Sequence, residues 1–277
     1  MSNVIIKLAS GYDRKDSLMK IATYNVWNEN KGIGNRFDHL VDEINGINAD
    51  VIGLQEVTTH FFNEILREKT KYKYCEFRKY NDEDEGLAIL SHYPLKECFF
   101  LNTYKEYKYS RGLNVKFKVE ESTFSLMNVH LPSDSAKLQE EQMLAIDEYI
   151  STLVGEVDYI IMIGDFNGGI SSSVHRYLIG EQTLNCNEPC KRWDEMSSAY
   201  AILNELPLLA TLDCINNPRW KGKNTFYTPS VMDRIYVMDN WVSKSLLSVS
   251  NFGMDVSPET GLCASDHYGV MAEISFK

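Results

Sequence analysis

Short apolar segments that end in polar side chains recur along this chain. The clearest covers residues 159–163, which are followed at once by Gly164 and Asp165. An unbroken apolar run of this length, rich in isoleucine, predicts a strand buried on both faces of a sheet. Because side chains alternate along an extended chain, we expect Asp165 and Asn167 to project to the same side. An ordinary strand followed by an Asn-Gly turn is the alternative interpretation.

Polar side chains also adjoin apolar runs at several other points of the chain. They follow the runs 21–24, 50–54 and 124–129, open the run 233–237, and precede the run 268–276. Ligands of α/β proteins bind in the crevice outside the carboxyl ends of the strands, so these polar residues are predicted to converge on one rim. The candidates for this site are Asn25, Glu56, His130, Asp165, Asn167, Asp233, Asp266 and His267.

Helical periodicity separates some of these strands. Apolar residues at helical spacing in 37–47 predict one helix, and similar patterns predict helices over 60–68, from Ser133 or Asp134 to Val154, and from 196 to Pro207. Further short strands are predicted at 72–78, 86–91, 97–102, 112–119 and 123–129. Helices between strands, together with a meander of antiparallel pairs, predict an α/β fold with a mixed sheet covered by helices.

Length and composition favour one soluble globular domain. The chain has 277 residues, 44% of them hydrophobic and 24% charged, and no linker is visible. We therefore predict an irregular extension over residues 1–18 and a single domain over 19–277. Neither a signal peptide nor a membrane anchor is expected, because the first twenty residues are charged and no run approaches about 18 apolar residues. We expect a cytoplasmic monomer with reduced cysteines, in which Cys186 and Cys190 are a poor zinc pair.

The net charge limits the kind of nucleic-acid binding that this chain could perform. A net charge of −11 argues against a protein that holds long nucleic acid by bulk electrostatics, but it leaves room for a local basic groove. Segments 69–80, 104–111 and 219–227 mix Lys or Arg with aromatic residues, as surfaces that bind single strands do. Half-exposed strands would show the same alternation, so both interpretations stay open. The acidic run 82–85 is predicted to be a solvated loop.

The candidate site is rich in hard oxygen donors and contains no thiolate. Asn25, Glu56, Asp165, Asn167 and Asp266 would suit Mg²⁺, which binds through one or two carboxylates together with waters and substrate phosphate oxygens. Mn²⁺ is the expected substitute. The chemistry that this donor set predicts is metal-assisted hydrolysis of a phosphate ester.

Seven short motifs, taken in their order along the chain, resemble those of the endonuclease/exonuclease/phosphatase superfamily. The resemblance runs from about residue 20 to the carboxyl terminus, and seven ordered motifs are far more specific than any one of them. It implies a DNase-like, four-layer α/β sandwich with two mixed sheets face to face and helices outside. The motifs are Thr23-Tyr24-Asn25-Val26-Trp27, Leu54-Gln55-Glu56-Val57, Gly86-Leu87-Ala88-Ile89-Leu90-Ser91, Asn128-Val129-His130-Leu131, Gly164-Asp165-Phe166-Asn167, Asp233-Arg234-Ile235 and Ser265-Asp266-His267.

The resemblance also implies a role for each candidate residue. Glu56 would be the main Mg²⁺ ligand with Asn25 beside it, and Asp266 would be a further ligand or would lie just behind the ligands. Asp165 would be the general base that takes a proton from the attacking water.

The remaining four candidates would act on the substrate or support the residues that do. Asn167 would orient water and phosphate. His267, held by Asp233, would stabilise charge on a phosphate oxygen. His130 would donate to a phosphate or leaving-group oxygen.

The substrate is less clear from the sequence. Val57 and Thr58 follow Glu56 where abasic-site endonucleases usually carry Thr-Lys. This difference makes an abasic-site endonuclease a less favoured interpretation. The motifs look more like the branch with neutral sphingomyelinases, deadenylases and 5′-tyrosyl-DNA phosphodiesterases. We therefore expect a phosphodiesterase or nuclease that acts on DNA or RNA ends or single strands, in repair and away from membranes. A phosphatase or phosphodiesterase for a small or lipid phosphate is the alternative, and a silent binding module on the same fold is disfavoured by the complete set of site residues.

Overall fold

A computed structural model describes residues 17–29, 35–81, 83–101, 111–185, 193–223, 228–238 and 244–277. Two six-stranded sheets dominate this part of the chain. The first has the strand order β11-β12-β1-β2-β4-β3 and the second has the order β5-β6-β7-β8-β10-β9. The strands are β1 Ser17–Asn25, β2 Val51–Thr58, β3 Tyr74–Lys79, β4 Glu85–Ser91, β5 Lys96–Leu101, β6 Gly112–Val119, β7 Ser122–His130, β8 Tyr159–Asp165, β9 Trp193–Glu195, β10 Asp233–Met238, β11 Lys244–Phe252 and β12 Gly269–Phe276.

Eight helical segments are present in the described residues, and several of them cover the outer faces of the sheets. They are α1 Arg36–Ile47, α2 Thr59–Phe61, a π-helical turn Phe62–Leu66, α3 Arg67–Lys69, α4 Ala136–Leu153, α5 Ser173–Leu178, α6 Met196–Leu203 and a 3₁₀ turn Pro218–Trp220. One apolar cluster lies between the sheets, a second joins the first sheet to α1 and the α2 segment, and a third joins the second sheet to α4 and α5. The resulting four-layer sandwich with two mixed sheets confirms the predicted fold.

The strand pairing explains why the site residues meet. β1 pairs in parallel with β2, which sets Asn25 opposite Gln55, and β7 pairs in parallel with β8, which sets His130 opposite Asp165. The antiparallel strand β10 begins at Asp233, directly opposite Asp165. Carboxyl ends of parallel strands share one edge of a sheet, so both sheets deliver polar residues to the same rim.

Several predicted element boundaries differ from the structure. Helix α4 begins at Ala136 because Ser135 is its N-cap and accepts the backbone N–H of Leu138 at 3.2 Å. Helix α6 ends at Leu203, before Pro207. The predictions also omitted α5, β9 and β11. Strand β11 lies at a sheet edge and is half-exposed, so its sequence has no unbroken apolar run to mark it.

Other sequence predictions fall at the limits of the described residues. Most of the predicted extension lies outside them, and Ser17 already begins β1. Cys186 and Cys190 also lie outside. Within the acidic run, the prediction of a solvated loop is wrong for Glu85, which is buried at the start of β4. None of the helices in the described ranges combines the length and apolarity of a membrane span.

Candidate active site

A β-bulge in β2 aims Glu56 at the site. The register between β2 and β4 shifts between Leu54 and Val57, and Glu56 has a φ of 57°, in the left-handed region. A bulge of this kind bends the strand and redirects a side chain. The Glu56 carboxylate then accepts two hydrogen bonds at 3.0 Å, one from the side-chain amide of Asn25 and one from the backbone N–H of Asn28. Both contacts hold this carboxylate beside the end of β1.

The Asp165 carboxylate lies at the centre of the cluster. Its Oδ2 accepts a hydrogen bond from Asn25 Nδ2 at 3.0 Å, and its Oδ1 accepts the backbone N–H of Asn167 at 2.8 Å. The same Oδ2 is 3.9 Å from His130 Nε2 and 3.9 Å from His267 Nδ1. Asp165 is fully buried. One buried carboxylate oxygen therefore contacts or approaches an amide and both imidazoles.

A second carboxylate orients His267. Asp233 Oδ2 is 2.9 Å from His267 Nδ1, and both side chains are buried. Thr211 Oγ1 accepts the backbone N–H of Asp233 at 3.0 Å. Ser265 Oγ accepts the backbone N–H of His267 at 3.2 Å and donates to the carbonyl of Asn25 at 2.6 Å. Thr211 and Ser265 were not among the predicted site residues. Ser265 nevertheless belongs to the last of the seven sequence motifs, where it immediately precedes Asp266.

The two histidines of the site differ in charge. Burial alone would lower the pKa of His267, but the charges of Asp233 and Asp165 overcome that effect and raise its pKa well above the usual value. Burial lowers the pKa of His130 to about 4. At neutral pH the site therefore holds one imidazolium at His267 and one neutral imidazole at His130.

Asn167 and Asp266 lie at the margin of the cluster. The chain turns at Asn167, whose φ is 47°, so the alternation of an extended strand ends at Asp165. The side-chain amide of Asn167 donates to the carbonyl of Leu131 at 2.9 Å. Asp266 is half-buried, and its backbone carbonyl accepts the indole N–H of Trp220 at 3.0 Å. Its charge adds to the rise in the pKa of Glu56, which is caused mainly by burial.

The cluster has the composition of a cation site. Among the described residues, Asp165, Asp233 and His267 bring their ligand atoms within 4.8 Å of one another, a group that could hold a metal ion in place of the proton between His267 and Asp233. Glu56 adds a further carboxylate, whose charged form is disfavoured by burial and would be favoured by a nearby cation. Carboxylate and amide oxygens without a thiolate fit a hard divalent ion such as Mg²⁺.

An acidic wall borders the cluster on the β4 side. A cavity of about 260 Å³ is lined by Asn28, Thr58, Glu83, Asp84 and Glu85. Burial raises the pKa of Glu85 to about 7, and its carboxylate also accepts a hydrogen bond from the side-chain amide of Asn28.

Arg111 packs against the same wall. It makes a bidentate contact with Glu83, at 3.0 and 2.9 Å, and lies 4.3 Å from the centre of the Tyr80 ring. Its backbone carbonyl accepts the N–H of His130 at 3.1 Å, so the residue is tied to both the wall and the site.

Comparison with protein families gives one match over most of the chain. The sequence profile described as the Endonuclease/Exonuclease/phosphatase family matches residues 22–267. A curated relative, Craniofacial development protein 2 of Bos taurus, is 22% identical over 262 residues. The match covers 93% of this chain but only 41% of that protein.

Solved structures show the same fold at low sequence identity. The crystal structure of D. rerio TDP2 complexed with a single-strand DNA product has a TM-score of 0.72 and 17% identity, covering 94% of this chain and 99% of that one. A family protein from Bacteroides thetaiotaomicron has a TM-score of 0.73 and 18% identity, covering 95% and 96% of the two chains. TDP2 from C. elegans has a TM-score of 0.72 and 16% identity, covering 94% and 75%.

Proposed function

This chain belongs to the endonuclease/exonuclease/phosphatase family, and on that basis we propose that it is a Mg²⁺-dependent phosphodiesterase that acts on nucleic-acid ends or single strands. Hydrolysis of phosphate esters follows from the family and the buried Asp and His cluster. The observation that carries the proposal is the convergence of Asn25, His130 and His267 on one buried oxygen of Asp165.

Asp165 acts as the general base. Its Oδ2 takes a proton from a water molecule as the water oxygen attacks phosphorus, and the bond from phosphorus to the leaving oxygen breaks. The backbone N–H of Asn167 and the amide of Asn25 hold the carboxylate in place. A carboxylate fixed by two donors loses little entropy in reaching the geometry of proton transfer. The Asn167 side chain helps to position water and phosphate from the turn after β8.

The two histidines have different tasks. His267 carries a positive charge and donates through Nδ1 to Asp233, which leaves Nε2–H free to bind a non-bridging phosphate oxygen as negative charge grows there. His130 is neutral, so it donates a hydrogen bond to the leaving oxygen rather than a full proton. The leaving oxygen takes a proton from solvent water and Asp165 returns its proton to solvent, so the products are a phosphate monoester and an alcohol or phenol.

Glu56 and Asn25 are the residues that would hold Mg²⁺, with Asp266 nearby. The bound ion supplies Lewis-acid stabilisation of the phosphate and the leaving oxygen. Support for a nucleic-acid substrate comes from the fold, which is shared with a TDP2 that was crystallised with a single-strand DNA product.

The test uses metal-stripped protein and end-labelled oligonucleotides. Single- and double-stranded substrates, plain and 5′-tyrosyl, are incubated with and without Mg²⁺. Cleavage should require Mg²⁺ and should fall by about 10²- to 10⁴-fold in Asp165→Asn. Asp134→Asn makes the same chemical change on the exposed surface and should retain the wild-type rate. A wild-type rate in Asp165→Asn would remove its role as base, and failure to cleave any oligonucleotide would favour small or lipid phosphate esters.

A further inference from the structure

A cavity of about 440 Å³ lies on the outer side of the first sheet, between α1 and the end of β11 with the segment that follows it. Among the described residues, those that line it are separate from the candidate active site. Its volume is within the range of small-molecule binding sites in proteins. Three carboxylates and one imidazole line it together with apolar side chains. These residues include His39, Asp42, Glu43, Phe252, Met254 and Asp255.

Glu43 forms the floor of this cavity and is the most buried of its carboxylates. Its side chain is only 9% exposed, and its Oε2 accepts a hydrogen bond from the Tyr24 hydroxyl at 2.9 Å. Its Oε1 lies 3.3 Å from His39 Nε2 without forming a hydrogen bond, and no other group in the described ranges donates to it. A buried carboxylate oxygen without a donor is unfavourable. The floor therefore holds an acceptor that a bound cation would satisfy.

Two further carboxylates make the mouth of the cavity negative. Asp42 precedes Glu43 on α1, Asp255 lies on the opposite wall, and both are exposed. Burial is the main cause that raises the pKa of Glu43 to about 8, and the charges of Asp255 and Asp42 add to the rise. The Tyr24 hydroxyl and the charge of Arg219 act in the opposite direction without cancelling it. At neutral pH the Glu43 carboxyl group is therefore mostly protonated until a cation approaches it.

The arrangement of these charges favours a ligand with two cationic ends. One carboxylate lies at the floor and two lie at the mouth, with Phe252 and Met254 on the same walls. Methylene groups pack on such apolar side chains, and an ammonium group is attracted to the face of an aromatic ring. The three carboxylates do not converge as metal ligands do. In the described part of the chain, the group whose ligand atoms come within 4.8 Å of one another is that of the active site.

We propose that this cavity binds an aliphatic diamine or a longer polyamine, with one ammonium group on Glu43 and a second between Asp42 and Asp255. The ammonium group at the floor donates to Glu43 Oε1, the oxygen that lacks a donor. The methylene chain lies along Phe252 and Met254 toward the mouth. The inference goes beyond the proposed function and does not depend on it, because it concerns a separate site. In a purely structural role, Glu43 would only hold Tyr24 and contact His39 one helical turn away.

Isothermal titration calorimetry with 1,4-diaminobutane, in the absence of Mg²⁺, tests the site on the full chain. Wild-type protein should show saturable binding with a Kd below about 1 mM. Glu43→Gln keeps an acceptor for Tyr24 but removes the buried charge, so the affinity should fall at least about tenfold. Asp255→Asn removes an exposed partner and should lower the affinity about 2- to 5-fold. Glu121→Gln, on the exposed turn between β6 and β7, is the matched control and should bind like the wild type.

Proton release gives a readout that a structural role of Glu43 would not produce. An ammonium group stabilises the charged form of Glu43, so binding at pH 7 should release about one proton from this carboxyl group. Titrations in buffers of different ionisation enthalpy measure the number of protons released. That number should be near zero in Glu43→Gln, and circular dichroism checks that this variant folds. His39→Gln should keep the proton release, which excludes the neighbouring imidazole as its source.

Three results would overturn the proposal. Diamine binding that is unchanged in both Glu43→Gln and Asp255→Asn would place the ligand elsewhere on the protein. Equal binding of 1,4-butanediol, which has the same length without charge, would show that the carboxylates are not used. Mg²⁺ binding that depends on Glu43, without diamine binding, would make the cavity a metal site instead. None of these measurements involves cleavage of oligonucleotides, so this proposal and the proposed function fail separately.

Discussion

At the scale of single residues, the site is built from unusual backbone conformations. Trp27, Glu56 and Asn167 all have positive φ, between 47° and 58°. Such conformations cost roughly 1–2 kcal/mol for a residue with a side chain and persist only where the surroundings enforce them. Here the hydrogen bonds of Asn25, Asn28 and Asp165 supply that enforcement. Each of these backbone turns places a polar side chain or an indole at the rim.

Glu56→Gln should weaken metal binding. The substitution keeps the shape of the side chain but removes the negative charge that attracts Mg²⁺. The Mg²⁺ concentration for half-maximal activity should rise at least about tenfold, and the rise in Tm on adding Mg²⁺ should shrink because that rise depends on affinity for the folded state. Glu64→Gln on the exposed π turn is the control. An unchanged metal titration in Glu56→Gln would exclude Glu56 as a ligand.

His175 should make the stability of the protein depend on pH. It is buried, its Nδ1 lies 2.8 Å from the hydroxyl of Tyr236, and burial lowers its pKa from 6.5 to about 4. The folded state therefore keeps it neutral where the unfolded chain protonates it. This contribution is complete above about pH 6.5 and is lost progressively as the pH falls toward 4.

Urea unfolding at pH 7 and pH 5 measures this effect. The wild-type protein should lose roughly 2 kcal/mol more of its free energy of unfolding between these values than His175→Gln does. His60→Gln, at an exposed histidine, should follow the wild type. Equal pH dependence in wild type and His175→Gln would show that His175 titrates normally in the folded protein.

At the scale of secondary-structure elements, the end of β8 depends on a glycine. Gly164 has a φ of 142°, and a Cβ atom there would lie 2.0 Å from the carbonyl oxygen of Val129 in the neighbouring strand β7. No small side-chain movement can relieve a contact with backbone. The close approach of β7 and β8, which sets His130 opposite Asp165, thus requires the missing side chain.

Gly164→Ala should therefore destabilise the protein and lower its activity. We expect a loss of more than about 2 kcal/mol in the free energy of unfolding, because the new methyl group must separate the two strands. Gly46→Ala is the matched control, since a Cβ atom in this helical position of α1 meets nothing within 4 Å. That variant should gain about 0.5–1 kcal/mol. Chemical denaturation of both variants tests these two predictions, and equal free energies of unfolding for the two variants would contradict them.

The elements that could be predicted from the sequence are those whose pattern of apolar residues follows directly from their burial. Strand β8 is buried on both faces and has an unbroken apolar run, and α1 buries one stripe of a regular helical pattern. Both were predicted within one or two residues. Strand β11 and the short α5 were not, because half-exposed edge strands and six-residue helices carry too little periodicity to distinguish them from loops.

At the scale of the whole molecule, a buried polar network joins the two sheets behind the site. Asn128 in β7 donates to the carbonyls of Leu54 and Ala88 in the opposite sheet, both at 3.0 Å. It also accepts a hydrogen bond from Gln55 Nε2 at 2.6 Å. Leu54 and Ala88 form the last strand pair before the bulge that redirects Glu56, so the network couples sheet packing to the position of the proposed metal ligand.

Asn128→Ala should be severely destabilising. It leaves two buried carbonyls and the Gln55 amide without one partner each, and an unsatisfied buried polar group costs about 1–3 kcal/mol. We expect a loss of roughly 3–5 kcal/mol in the free energy of unfolding, with weaker Mg²⁺ binding in the protein that remains folded. Asn63→Ala, on the exposed surface, should change stability by less than about 0.5 kcal/mol. A loss below 1 kcal/mol for Asn128→Ala would show that water satisfies these groups.

The residue order alone determined the chemistry and the general architecture of this protein. Apolar runs with polar ends placed the candidates Asn25, Glu56, His130 and Asp165 at strand ends, because burial constrains side-chain type directly. The ordered motifs indicated the family, which the match over residues 22–267 confirms. These features are local in the chain, so they can be recognised without knowing which strands pair.

Only the tertiary structure decided which side chains meet and in what electrostatic state. The contact between Asp233 and His267 spans 34 positions, and that between Asn25 and Asp165 spans 140. Such distances depend on strand pairing and on bulges, which no local pattern encodes. The opposite pKa shifts of His130 and His267, and the meeting of Glu43 with Asp255 in one cavity, arise from the same source, because burial and neighbouring charges are properties of the packed sheets.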